Sequence, residues 1–220
     1  EEPPEEPPDG PWPLPPPPPR EKIKIRLSDG SVRSIQHMES TSFWHENGTP
    51  MSAQQFLEHL YGKLPELFND ERHLRALWSK PNTRKELLNG LEAKGITGGQ
   101  LVEMQKVIDA EDSDLFDVLA YVAFKVTPIT RVERAAQASE MIYEHVESQL
   151  QTFLDFVLGQ YVREGVYQLD KDQLAALLRL KYSDSIKDAV DALGSPDELS
   201  KAFTGFQQYL YQERPYVQAP

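Results

Sequence analysis

Ten residues, Leu115–Phe124 (LFDVLAYVAF), place the strongest constraint on the fold. Leu115, Val118, Leu119 and Val122 recur at i, i+3, i+4 and i+7, the spacing of one helical face. Phe116, Ala120 and Phe124 draw a second apolar stripe along the same helix. A helix that is apolar on two sides cannot rest on a surface with one side in water; other helices have to enclose it. The spacing therefore predicts a multi-helix bundle with this segment inside.

The surrounding sequence supplies the other helices. Ser52 with Gln55, Thr97 with Gln100 and Thr130 with Glu133 have capping-box spacing, in which side chains satisfy amides at a helix start. Ser113 is the expected cap of the central helix, with Asp112 and Asp114 offsetting its dipole. Thr127-Pro128 ends that helix, because the residue before proline is pushed out of helical conformation. Leu74, Leu77 and Trp78 mark a helix that stops at Pro81, and a further one over TRKELLNGLEAKG ends at glycine. Ile142, Val146, Phe153 and Val157 lead into helices around Leu174 to Leu180 and Ile186 to Leu193. Ser195-Pro196 starts a last one bearing Leu199, Phe203, Phe206 and Leu210.

Residues before this helical part behave differently. Lys22 to Leu27 alternates, with Ile23, Ile25 and Leu27 on one face and Lys22, Lys24 and Arg26 on the other, as in a half-buried strand. Asp29-Gly30 predicts a two-residue hairpin turn, with a return strand from Val32 to Met38 that carries a bulge. Asn47-Gly48 is the expected turn of a second hairpin. Residues 1–20 hold 11 of the 18 prolines and should be an extended, polyproline-like spacer reaching roughly 60 Å. The expected fold is thus mainly α: a multi-helix bundle with a small N-terminal antiparallel β element, preceded by an extended Pro-rich linker. Expected divisions are 1–20 for the linker, 21–51 for the β element and 52–220 for the helical domain.

Chemistry is sparse. With no cysteine, disulfides, thiolate nucleophiles and Cys-based zinc sites are excluded. No G-x-x-x-x-G-K-[ST] or G-x-S-x-G occurs, so neither a phosphate-cradling loop nor a hydrolase elbow is expected. His37, His45, His59, His73 and His145 lack the close pairing of zinc ligands and read as isolated. The carboxylates of Asp109 to Asp117 lack the glycine and terminal glutamate of a calcium loop, and read as helix capping. Glu92-Ala93-Lys94 matches half of a nuclease motif, but no acidic metal ligand precedes it and no strand surrounds it. No catalytic, cofactor or metal residue is therefore assigned.

Charge narrows the partners. The formal net charge is −12, so the chain as a whole lacks the basic field with which proteins hold nucleic acid. One local basic patch, Arg72, Arg75, Lys80, Arg84 and Lys85 around Trp78, is a candidate contact for phosphates or an acidic partner. Asp70, Glu71 and Glu86 lie among these residues, so an ordinary solvated helix face is the plain alternative. Arg131 and Arg134 sit at a helix start, where the dipole disfavours cations. Carboxylates of this fold or of a partner would account for them. No apolar run approaches the roughly 20 residues that span a bilayer, so no membrane association is expected. Glu1 rather than methionine opens the chain, as in a piece of a longer protein.

One resemblance runs the length of the sequence. DSDLFDVLAYVAF followed by TPITRVERA resembles the C-terminal region of the R (restriction and motor) subunit of type I restriction endonucleases. DGPWPLPPPPP, IRLSDGSVRSIQHMEST, MSAQQFLEHLYGKLPELF, LRALWSKPNTRKELL, LEAKGI, LDFVLGQYVREGVYQLD and GFQQYLY are similar to the family in the same order. The resemblance implies a cytoplasmic bacterial or archaeal protein whose full length couples ATP-dependent DNA translocation to Mg-dependent DNA cleavage. The ATP, Mg and nuclease motifs would lie upstream, so no cofactor is expected here. It also implies an assembly role, docking onto the modification methyltransferase and specificity subunits, with DNA met through the whole complex. The alternative within the same family is a DNA-guiding domain that uses the basic patch.

Overall fold

The structure, a computed structural model, describes residues 22–36, 43–45, 47–182, 190 and 193–213. The expected Pro-rich linker, His37, the end of the expected return strand and most of the expected helix at Ile186 to Leu193 lie outside them. The described part is mainly helical, with two short antiparallel β pairs at its N-terminal side.

Strands β1 (Lys22–Arg26) and β2 (Val32–Gln36) pair from Lys22↔Gln36 to Arg26↔Val32. Leu27 donates its N–H to Ser31 O and Gly30 donates to Leu27 O, so the loop is Ser28, Asp29 and Gly30. The expected two-residue turn is thus replaced by a three-residue loop. Only Gly30 takes positive φ (84°), as in a turn closed by a left-handed glycine. β3 (Phe43–Trp44) pairs with β4 (Pro50–Met51) around Gly48, whose φ is 78°.

The helices follow: α1 (Ala53–Lys63), α2 (Glu71–Trp78), α3 (Pro81–Glu92), α4 (Gly98–Val107), α5 (Leu115–Phe124), α6 (Arg131–His145), α7 (Ser148–Glu164), α8 (Leu174–Lys181), α9 (Pro196–Gly205) and a single turn α10 (Gln207–Leu210). The capping boxes expected at Ser52, Thr97 and Thr130 are all formed, and Ser195 makes another with Glu198. α5 starts one residue later than expected: Asp114, not Ser113, is its cap, boxed with Asp117. Ser113 instead donates its hydroxyl to Ala110 O at 2.7 Å.

α5 is the interior element that its two apolar stripes require. Val118, Leu119, Ala120 and Val122 are fully enclosed, and α1, α2 and α4 pack against the helix. Ile25, Ile35, Phe43 and Met51 of the β pairs enter the same continuous core as the helices. Arg33 pins β2 to the end of α5. Its Nε donates to Tyr121 O at 2.9 Å and its Nη2 to Val122 O at 2.9 Å, so a cation meets the carbonyl end of the helix dipole.

Candidate functional site

The two carboxylates that open α5 lie at the centre of a buried polar network. Asp114 Oδ1 caps the helix by accepting from Phe116 N at 2.9 Å. Its Oδ2 accepts from two phenols, Tyr161 at 2.6 Å on α7 and Tyr211 at 2.7 Å beyond α10. One turn along, Asp117 takes a two-pronged bond from Arg134 Nη2, at 2.7 and 2.8 Å. Burial and the charge of Asp114 push both tyrosine pKa values well above the ordinary phenol range. Burial also pushes the Asp117 carboxyl up, against the pull of Arg134. For Arg134 burial works the other way, but the Asp117 charge outweighs it and holds the guanidinium charged.

This network closes the C-terminal end of the fold onto α5. Arg134 Nη1 donates to Leu210 O at 3.0 Å, and Arg75 Nη1 donates to Tyr211 O and Gln212 O at 3.2 Å. Arg84, with only 1% of its side chain exposed, pairs with Asp170 at 2.9 Å and donates to Gln207 Oε1 at 3.0 Å. The arrangement is one of packing and orientation, with the carboxylates already occupied by strong donors.

These placements divide the cations picked out from the sequence. Arg84 and Arg134 are buried, and each is paired with a carboxylate of the chain. Arg75 spans Glu71 and the 211–212 carbonyls, with its guanidinium 5.0 Å from the Phe116 ring. Arg131 donates to Val162 O at 3.0 Å and Ser113 O at 2.6 Å, so backbone carbonyls answer its unfavourable place at a helix start. Arg72, Lys80 and Lys85 remain exposed, Arg72 beside Glu213 at 3.5 Å and Lys85 beside Asp172 at 3.8 Å. The sequence patch is therefore not a single charged face.

Glu92 is the exposed last residue of α3, and Lys94 pairs with Glu66, so the half-motif stays dispersed. Among the described residues no three His, Asp or Glu side chains converge as metal ligands. No described helix is long and apolar enough to cross a membrane.

Above the Asp117–Arg134 pair the surface opens into a groove of about 760 Å³. Phe116, Val126, Ile129, Met141, Tyr209 and Leu210 give it an apolar part, beside polar groups that include Arg75, Arg134 and Gln137. Glu71, Glu140 and Glu213 stand on its edge. Sequence reading missed this groove because its walls come from segments far apart in the chain. It also missed that His45 and His59 line one cavity, beside Trp44.

A family model described as EcoEI R protein C-terminal matches residues 54–211. The chain is similar to the "Type I restriction enzyme EcoAI endonuclease subunit" of Escherichia coli, 27% identical over 143 residues. That similarity covers 63% of this chain and 17% of the relative, so the chain spans about a sixth of the relative's length. No solved structure matches the chain at a significant level.

Proposed function

The chain belongs to the EcoEI R protein C-terminal family, the C-terminal region of type I restriction enzyme R subunits, and from that premise we propose that it is an assembly module. It docks the restriction subunit onto the modification methyltransferase and specificity subunits, in the cytoplasm, and carries out no catalysis itself. ATP-driven translocation and Mg-dependent DNA cleavage then belong to other parts of the full-length protein.

The groove over α5 and α6 carries this reading. It leaves half-buried Val126, Ile129, Met141 and Tyr209 in contact with water, a cost that a partner side chain entering it would relieve. Glu140 at the groove, in a chain of net charge −12, favours a partner segment that presents an apolar side chain next to a cation. We assign that segment to the methyltransferase core. The buried network below supports the role: it fixes α5, α6 and α10, the groove's walls, in one arrangement, so little order has to be gained on binding.

Titration of the chain against the methyltransferase core without DNA tests the proposal. Saturable binding at moderate salt is expected. Binding only when DNA is present would instead support DNA guiding, the second reading, which the exposure of Arg72, Lys80 and Lys85 favours.

A further inference from the structure

A cavity of about 490 Å³ lies on the β3–β4 side of α1, bounded by Trp44, His45, His59, Lys63 and Lys94. Its unusual member is Trp44, which is 51% exposed although Phe43 beside it is buried. Phe43 before it is buried and stacks on Phe56, with ring centres 4.4 Å apart. The hairpin closes through His45 N to Thr49 O at 2.9 Å and Thr49 N to Asn47 Oδ1 at 3.0 Å. From the helical side, Gln100 Nε2 donates to Trp44 O at 2.9 Å, while Gln100 Oε1 closes the α4 capping box. A ring half exposed contributes little to the core and leaves aromatic surface for a ligand to meet.

The opposite wall is cationic. Lys63 and Lys94 both reach Glu66, so two ammonium groups share one carboxylate and leave a net positive charge. The Glu66 carboxyl is held below its ordinary range by the Lys94 bond and the charge of Lys63. His59 Nε2 lies 3.3 Å from Lys94 O, which ties the imidazole to the turn carrying that lysine. An exposed aromatic face beside surplus ammonium groups suits a ligand with a flat ring and an attached anion. The volume falls within the range of small-molecule sites.

We propose that this cavity binds a nucleotide, with its base stacked on Trp44 and its phosphate drawn to Lys63 and Lys94. The site is separate from the docking groove and does not depend on the assembly reading. Its ligand has two possible sources, a free mononucleotide and a nucleotide unit of a single strand, and both present the same chemistry.

The test is quenching of tryptophan fluorescence, with calorimetry in parallel, on the whole chain. The probes are thymidine 5′-monophosphate, thymidine, inorganic phosphate and a short oligothymidylate. The monophosphate is expected to quench saturably and to bind about tenfold more tightly than the nucleoside or phosphate alone. Trp44→Leu should abolish the quench and weaken calorimetric binding about tenfold or more. Lys63→Ala combined with Lys94→Ala should remove the preference for the monophosphate. An oligothymidylate binding about tenfold more tightly than the monomer identifies the single strand as the source, and equal affinity identifies the free nucleotide. Absence of saturable binding by every probe overturns the proposal. So does unchanged calorimetric affinity in Trp44→Leu, whose exposed ring can be replaced without opening the core.

Discussion

Asp117→Asn removes one charge from the buried pair under the groove and keeps the side chain's size. The side chains of Asp117 and Arg134 are 2% and 4% exposed, and the two Asp117 oxygens take 2.7 and 2.8 Å bonds from the guanidinium. Without the carboxylate, Arg134 keeps its charge where only 4% of its side chain meets water. Asp114, the next carboxylate, is already engaged by Tyr161 and Tyr211. Breaking a buried pair from one side costs about 3–5 kcal/mol, a large part of the roughly 5–15 kcal/mol by which domains are stable. For a chain of this size each kcal/mol shifts the melting temperature by about 2–4 °C, which gives a fall of about 6–20 °C. Thermal unfolding followed by far-UV circular dichroism reads it directly. The double variant Asp117→Leu with Arg134→Met, which removes both charges, should recover about half of the loss. A fall below about 3 °C in Asp117→Asn, or a double variant less stable than the single, would refute the claim that this pair fixes the fold.

Three further outcomes follow from the same structure. Tyr161 and Tyr211 have folded pKa values raised above the unfolded phenol value of about 10, so their stabilising effect is complete below pH 10 and is lost as pH rises past it; ultraviolet titration should show two of the nine tyrosines ionising only as the chain unfolds. Asp29 is held down at about 2, mainly by a bond from Tyr61, so its contribution is present above the unfolded value and disappears as pH falls through about 2; carboxyl NMR should give that value in the native chain and a higher one in Tyr61→Phe. Arg33→Met leaves carbonyls at the end of α5 without their donors and should cost roughly 2–3 kcal/mol by urea unfolding; unchanged stability would show that the hairpin is not anchored there.

Local chemistry was legible in the sequence, and distant contacts were not. The boxes at Ser52, Thr97 and Thr130 depend on residues three apart, so their spacing alone predicts them. α5 was legible as the interior helix because two apolar stripes leave it no other place. Its cap was misplaced by one residue because Ser113 and Asp114 are both good caps, and only Asp114 also reaches tyrosines 47 and 97 residues away. The residues of the basic patch differ in burial for a related reason. Arg84 looks like its neighbours in sequence, yet its partner, Asp170, is 86 residues away. His45 and His59 lacked ligand spacing, and no local signal could reveal a cavity that forms only when β3 and β4 fold against α1 and the end of α3. Arg131 and Arg134 look alike at one helix start, yet Arg134 meets the Asp117 carboxylate and Arg131 the carbonyls of Val162 and Ser113, a difference that spacing does not carry.

The most direct test of the assembly account is the affinity of the chain for the methyltransferase core, measured without DNA by calorimetry, with and without Met141→Lys. Met141 lies on the apolar floor of the groove, and a lysine there both fills the floor and repels a cationic partner. The account predicts saturable binding by the native chain, a loss of about tenfold to a hundredfold in Met141→Lys, and no change in Leu180→Lys, an exposed position outside the groove. Equal binding by all three chains would contradict the groove as the docking face, and no binding by the native chain would contradict the assembly role.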